Sequence, residues 1–565
     1  MKKLFCILLV VLLLFNTTSC VQQTSEKTEK EISSSETTKL ETNLETTPFG
    51  RYDPPIEITY AKVFSSTILE TLAMHKETEE DNRWTRYYEE ELGIKLKLLW
   101  SSPNNDDFNT KLSLSISSGT VPDYIPFGQN YNTIYQFAEA GLLADLTDVL
   151  DTYAYDGVKE GLKDAGKEAL YPATIDGRLY ALPQIIGGEN QSHCFLWLRK
   201  DWLDNLGLQP PKTIEELDVV MDSFVNKDPD GNGEADTIGL AASSDILNIT
   251  RGFFYSYHAY PLIWVEGEEN KLVYGSVMDT VKPALAQLRE YYSKGYLPEE
   301  FYTLKGINEM IVQGKVGGYI GTQTAFGTGS FDAAWEFNNN ANWVPYILPT
   351  SDGKKVTPVS AHNSANFYGM SANCKHPEVI VKFMNLHVRT LWDPEYTSEE
   401  LNYYYGNDKD TGRGVWHLSL VPYEPSGKNS AKAAACKRAY ETKDMSVLNI
   451  PEYKIMYDYL VDWYDNGKMN YKWLKVFGFE ESANALMPYY LKNNLFVYNK
   501  FYTAPTPTLA NVKTALDTME KEAFLKIIIG EKPIDYFDTF VKNWYDSGGK
   551  ASTDEVNEWY DKISK

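Results

Sequence analysis

The strongest constraint on the fold is a rhythm near the start of the body, where strand-like and helix-like segments take turns. Residues 56–63, Ile-Glu-Ile-Thr-Tyr-Ala-Lys-Val, alternate apolar and polar side chains as a strand does. Residues 81–93 read as a helix ending at Gly93, and residues 95–100 as a second strand. Residues 106–117 carry Phe108, Leu112 and Ile116 at helical spacing; residues 122–127 then form a short strand and residues 134–140 a helix ending at Gly141. Strands separated by such helices predict an α/β fold with a largely parallel sheet. Ligands of such sheets sit beyond the carboxyl ends of the strands. That singles out the loops 65–82, 101–106 and 128–132. Further on, residues 196–207 read as a strand end running into a helix, and Thr213 to Glu216 as a capping box. Residues 316–320 form a glycine-rich strand, residues 343–349 an extended stretch, and helices cover 377–388, 452–464, 512–529 and 534–547. No internal repeat is apparent.

A chain of 565 residues is long enough for several domains or one large two-lobed unit. Its 43% hydrophobic and 23% charged residues rule out a disordered or fibrous chain. The 78 acidic against 54 basic residues give a net charge of −24, which argues against nucleic acid as a partner. Aromatics are in excess, with 40 Tyr, 24 Phe and 13 Trp. Tyrosine, with an apolar ring and a hydroxyl, suits a core that also presents wet, hydrogen-bonding surfaces.

The N-terminus carries Lys2 and Lys3 and then an apolar run from Leu4 to Phe15. That run is too short to span a bilayer and fits a signal peptide over residues 1–19. Ser19-Cys20 resembles the lipobox of bacterial lipoproteins, although Thr17 stands where that pattern has Leu. The resemblance implies that Cys20 is lipidated. Residues 21–47 are Ser, Thr, Glu, Lys and Gln with no aromatic ring, a composition that cannot offset its ordering entropy and serves as a tether. Cys194, Cys374 and Cys436 remain, widely spaced and without a CxxC pair, so structural zinc is not expected and at most one bridge can form.

The chain has no phosphate loop, HExxH or GxSxG motif, and its seven His are scattered, so no enzyme chemistry is expected. One metal pattern stands out. Asp228, Asp230, Asn232 and Asp236 occupy loop positions 1, 3, 5 and 9, Gly233 fills position 6, and Glu234 at position 7 offers its backbone carbonyl. Position 12 is Gly239, where an EF-hand has Glu, and a strand-like run follows instead of a second helix. The pattern reads as a loop for structural Ca2+; the same composition also builds a plain polar turn. It is similar to the calcium loops of some solute-binding proteins, in which an acidic residue often follows position 9; Thr237 stands there.

Residues 118–123 (SGTVPD), 140–147, 176–183, 197–207, the Asp228 loop and residues 530–537 follow one another in an order that, with the lipobox and tether, resembles a known family. It is the family 1 extracellular solute-binding lipoproteins of Gram-positive ABC importers, in the LipO/LplA-like group related to alginate-binding proteins. The resemblance implies an α/β, periplasmic-binding-protein-like fold of type II. Two lobes would be joined by a hinge, with crossings near Pro183, Pro349 and residue 400. Residues 1–19 would be the signal and 20–54 the lipidated Cys and tether. Residues 55–182 and 350–400 would form lobe 1, and residues 183–349 and 401–565 lobe 2. A monomer, anchored in the membrane through its lipid, would capture an oligosaccharide between the lobes and deliver it to an ABC permease.

Pyranose C–H faces stack on Trp and Tyr, and sugar hydroxyls need amide, carboxylate and phenol partners. Strand ends and the family layout together select Asn82, Arg83, Trp84, Gln129, Asn130, Tyr131, Gln184, Tyr255, Tyr257, His258, Trp264, Thr322, Gln323, Thr324, Asn363, Asn366, Trp416 and His417. The acidic balance disfavours a polyuronate, unless Arg83 or Arg178 pairs with a carboxylate. A glycan-active surface enzyme and a peptide or signal receptor are the competing readings.

Overall fold

The alternation in residues 56–63 becomes a strand that buries Ile58, Tyr60 and Ala61. The computed structural model describes residues 47–564 apart from 250, 325–329, 409–412 and 468–470. The signal segment, Cys20 and the tether as far as residue 46 lie outside the described residues.

Two main sheets draw on β1 (Ile56–Val63), β2 (Ile94–Ser102), β3 (Tyr124–Gly128), β4 (Ala181–Ile185), β5 (Phe195–Arg199), β6 (Ile238–Leu240), β7 (Val316–Gly321), β8 (Trp343–Ile347) and β9 (Ser364–Met370). The first sheet has the order β2-β1-β3-β9-β4, the second β8-β5-β7-β6. Strand β1 is parallel to β2 and β3, but β9 runs antiparallel to both β3 and β4. In the second sheet β5 is antiparallel to β7 and β8, and β7 is parallel to β6. The sheets are therefore mixed, where the local rhythm predicts a largely parallel one. The cause is long-range. Strand β9 enters the first sheet only after the chain has passed through the second, so it starts at the end where β3 and β4 finish.

Helix α1 (Arg83–Leu92) begins where Asn82 Oδ1 accepts the N–H groups of Trp84 and Thr85, while Thr85 Oγ1 accepts the N–H of Asn82. It ends at Gly93, with φ +66°, where a Cβ would stand 2.2 Å from the carbonyl oxygen of Tyr52. Helix α2 (Asn105–Ser118) is capped by Asn104, and α3 (Tyr131–Glu139) by Asn130 directly after β3. The Thr213 cap expected for α4 (Ile214–Asn226) forms, with its hydroxyl accepting from Glu216 N.

The first core joins this sheet to Trp84, Tyr88 and the almost wholly buried α5 (Val379–Trp392). In the second sheet the period of two divides the work: Leu196 and Leu198 face a core with Trp202, Phe224 and Trp544, and Phe195 and Trp197 face another with Trp343 and Tyr490. Trp84, Trp197, Trp202, Trp343 and Trp544 are all fully buried, so core packing takes up many of the aromatics. Cys194, Cys374 and Cys436 are unbridged.

The packing departs from the expected lobe boundaries. Val415, Leu418, Leu420, Val421 and Tyr423 belong to the first core, and Val356 belongs with the second. Residues after α5 stay with it because the carbonyl of Tyr423 accepts from Trp392 Nε1 at 2.9 Å and His387 Nε2 at 3.1 Å. The end of the expected tether is also docked: Tyr52 is buried, Lys382 Nζ donates to the carbonyl of Gly50, and Asn385 Nδ2 to that of Pro48.

Candidate functional site

The carboxyl ends of β1 and β3 open onto a cavity of about 400 Å³. Gly128, at φ +59°, turns the chain out of β3 and sets Gln129 and Asn130 on its rim. Gln184 and Asn366 line the same space, tied together by Asn366 Nδ2 donating to Gln184 Oε1 at 3.0 Å. Lys62, Ser65, Asn105, Asn109, Tyr124, Tyr368 and His417 complete its polar lining, with Phe64 and Phe127 among its apolar walls.

A second cavity, of about 440 Å³, shares Gln129 and Asn130 with the first and adds Tyr131 and Asn132. Its other wall comes from the second lobe: Trp264, Tyr274, Asn499, Phe501 and Trp544, with Lys513 and Asp517. The rings are locked in place. Tyr274 and Trp544 stack at 5.1 Å, Trp264 sits 5.3 Å from Tyr274, and Asn499 Oδ1 accepts from Trp264 N at 3.0 Å. Tyr131 meets Phe367 edge to face at 5.4 Å, and burial raises its phenol above the ordinary range.

A third cavity, of about 400 Å³, shares His417 with the first. Trp392, Trp416 and Trp473 supply rings, Asn190, Thr324 and Asn429 supply polar edges, and Lys428, Lys432 and Glu452 lie in its lining. Trp416 and His417 stack with centroids 3.5 Å apart. Lys432 Nζ reaches Glu452 at 2.6 Å and Lys428 Nζ reaches Glu424 at 3.0 Å. The two lysines hold the buried Glu452 carboxyl down at about 2. His417 stands exposed to solvent at the junction of the two cavities. The three cavities are thus neighbours, sharing Gln129 and Asn130 on one side and His417 on the other.

Gln129, Asn130, Tyr131, Gln184, Trp264, Thr324, Asn366, Trp416 and His417 stand on these cavities; the other expected residues stand elsewhere. Asn82 is the cap of α1, and Arg83 is spent on Glu77 at 2.9 Å and Asp408 at 3.3 Å. Trp84 is fully buried, stacked on His387 and donating Nε1 to the carbonyl of Tyr405. Tyr255 is wholly buried in the second core, Tyr257 packs against Phe253, and His258 Nε2 lies 3.3 Å from Asp352. The carbonyl of Thr322 accepts from Trp197 Nε1, and the buried Gln323 donates to Asn190, which itself lines the third cavity. Asn363 Oδ1 accepts from Gly188 N at 3.0 Å and borders a separate cavity of about 550 Å³. Lys62, Tyr274, Asn499, Phe501, Trp544, Trp392 and Trp473 line the three cavities without having been selected from sequence. Only Lys62, at the end of a legible strand, left a signal there.

In the Asp228 loop, Asp228 has φ +47°, and its carboxylate accepts from the N–H groups of Asn232 and Gly233, both at 3.1 Å. Asn232 Nδ2 donates to Asp230 at 3.0 Å and Asp236 at 3.4 Å, and Glu234 N donates to Asn232 Oδ1. Burial and the carboxylates of Asp228 and Asp236 push the Asp230 carboxyl above its ordinary range. Among the described residues no three His, Cys, Asp or Glu side chains close on one metal position. The loop is instead gathered around the Asn232 amide, with hard oxygen donors of the kind a calcium ion takes.

Residues 84–390, more than half of the chain, match the family model described as bacterial extracellular solute-binding protein. The fructooligosaccharide ABC transporter substrate-binding protein FusA of Streptococcus pneumoniae is 30% identical over 226 residues, 38% of this chain and 41% of that protein. Lipoprotein LipO of Bacillus subtilis is 24% identical over 285 residues, 48% of this chain and 53% of LipO. These matches span about half, or less, of the curated relatives' length. The alginate-binding protein AlgQ2, in a crystal structure without calcium ion, has the same fold: TM-score 0.61 at 15% identity, over 90% of this chain and 99% of that one.

Proposed function

Because this chain belongs to the family of bacterial extracellular solute-binding proteins, we propose that it captures an oligosaccharide along its three linked cavities and presents it to an ABC permease. The observation that carries this reading is that three cavities stand side by side, sharing Gln129, Asn130 and His417. A single monosaccharide fills only one of them. A short chain of sugars meets aromatic walls at Trp264 and Trp416, and amide edges at Gln129, Asn130, Gln184 and Asn366 between them. The fructooligosaccharide and alginate named for FusA and AlgQ2 are both chains of linked sugars.

Calorimetry and thermal shift on the purified chain, with panels of oligosaccharides and peptides, test the reading. At least one oligosaccharide raises the unfolding midpoint. Trp264→Ala weakens that ligand by about 1–2 kcal/mol, roughly tenfold. Stabilisation by peptides and by no sugar overturns the reading.

Two further parts belong to it. Cys20 carries the lipid that holds the protein at the outer face of the cell membrane, a reading supported by Ser19-Cys20 after the apolar run and by the name of lipoprotein LipO. Cys20→Ala then releases the protein into the medium. The Asp228 loop takes a structural calcium ion through Asp228, Asp230, Asn232, Asp236 and the carbonyl of Glu234. Calcium at about a hundred times its Kd adds roughly 2.7 kcal/mol of stability. Asp228→Ala with Asp230→Ala abolishes that gain; equal melting of the unmodified chain in calcium and in chelator removes the claim.

A further inference from the structure

In a chain with 78 acidic residues, no Asp or Glu among the described residues lines the first cavity. Among them its one permanent cation is Lys62, at the carboxyl end of β1. The ammonium donates to the carbonyl of Ser419 at 3.0 Å, and among the described residues no carboxylate lies within ion-pair distance of it. Lys428 and Lys432, the lysines of the third cavity, are by contrast neutralised by Glu424 and Glu452. An ammonium has three N–H donors, so two remain after the Ser419 bond. Lost hydration pulls Lys62 down to about 8, as follows when no anion of the protein compensates it.

We infer that the oligosaccharide carries an anionic group, a carboxylate or a sulfate, seated on the Lys62 ammonium in the first cavity. The inference rests on the oligosaccharide reading above and narrows it. An anion there completes the missing half of an ion pair in a partly desolvated site, where such a pair is worth more than in water. The amides of Asn105, Asn109 and Gln129 line the same cavity and supply neutral donors for the remaining lone pairs. Neither of the arginines that sequence alone offers for this task is suited to it. Arg83 is already paired with Glu77 and Asp408, and Arg178 lies exposed beside Asp145.

The test is calorimetric titration of the full chain with paired probes: oligogalacturonate, oligoalginate and sulfated galactan fragments, each beside its carboxyl-reduced or desulfated counterpart. The expected result is an acidic member that binds roughly 30-fold or more tighter than its neutral counterpart. Which pair shows the preference identifies carboxylate or sulfate. Lys62→Gln, which keeps a donor for the Ser419 carbonyl, weakens the acidic member far more than its neutral counterpart and so reduces the preference to a few-fold; Lys62→Arg retains the preference. The unfolding midpoint of each variant controls for folding, and the unmodified chain with the paired probes decides the matter if a variant does not fold. Neutral sugars binding as tightly as acidic ones, or a preference that survives Lys62→Gln, overturns the inference while the oligosaccharide reading stands. Binding of no sugar in either class fails that reading, and this inference with it.

Discussion

Glu520 lies fully buried in the second core, accepting from Ser276 Oγ at 2.7 Å and Tyr274 Oη at 3.1 Å. Burial and the nearby Asp517 carboxylate raise its carboxyl from 4.5 to about 7, against the two hydrogen bonds and Lys513, which oppose the rise. A carboxyl raised in the folded state binds its proton more tightly there than in the unfolded chain. The stability this gives is complete below pH 4.5 and is lost as pH rises through 7. Glu520→Gln keeps the shape and cannot ionise. Urea unfolding is expected to find the variant more stable than the unmodified chain at pH 8, by roughly 3 kcal/mol at most, and nearly equal to it at pH 4.5. Parallel pH profiles for the two proteins would falsify this. Nothing in the sequence marks Glu520 among the acidic residues, because its burial is set by partners more than 240 positions away. The same limit explains why residue type failed to sort Asn82, Arg83 and Trp84 from Gln129 and Asn130. Both groups stand beside strands and helices of one rhythm. One is turned inward onto α5 and the segment before residue 409, and the other is turned into the cleft.

At the scale of elements, what was legible was local. The Gly93 stop, the Thr213 cap and the strands around β1 and β3 depend on neighbours within a few positions. Strand direction was not legible, because β9 pairs with β3 across more than 230 residues of chain. The packing of residues 415–423 was not legible for the same reason: Tyr423 stays with the first core through its bonds to α5. Asn82 gives this a test. As a cap, its replacement by Ala costs about 1–2 kcal/mol of stability, since the N–H groups of Trp84 and Thr85 lose the Asn82 Oδ1 acceptor. Affinity for the captured sugar is expected to stay unchanged, because Asn82 lies outside the linked cavities. A loss of affinity without a loss of stability would return Asn82 to the binding site.

At the scale of the whole molecule, three passages of the chain meet where the first lobe gives way to the rest. Ser364 pairs with Ile185 as β9 enters the sheet, and Glu424 N donates to the carbonyl of Ile185 at 2.8 Å as the chain leaves for the helix Lys428–Thr442. Just beyond Ile185, Gly188 N donates to Asn363 Oδ1, and a Cβ on Gly188 would stand 1.8 Å from the carbonyl oxygen of Ala361. No side chain fits there without the two passages moving apart. Gln184 and Asn366, which face the first cavity, lie within four residues of this junction, so a shift there reaches the amide pair. Gly188→Ala is therefore expected to weaken ligand binding by tenfold or more, on the order of 1.4 kcal/mol, although Gly188 lines none of the linked cavities. Asn363→Ala, which removes a bond and adds no bulk, should lower affinity less. Calorimetry for affinity and small-angle scattering with and without ligand separate the outcomes. A Gly188→Ala protein that keeps its affinity and its change in radius on binding would mean that the junction yields without coupling to the cleft. Lost affinity with the protein still melting cooperatively would place the hinge where these three passages cross.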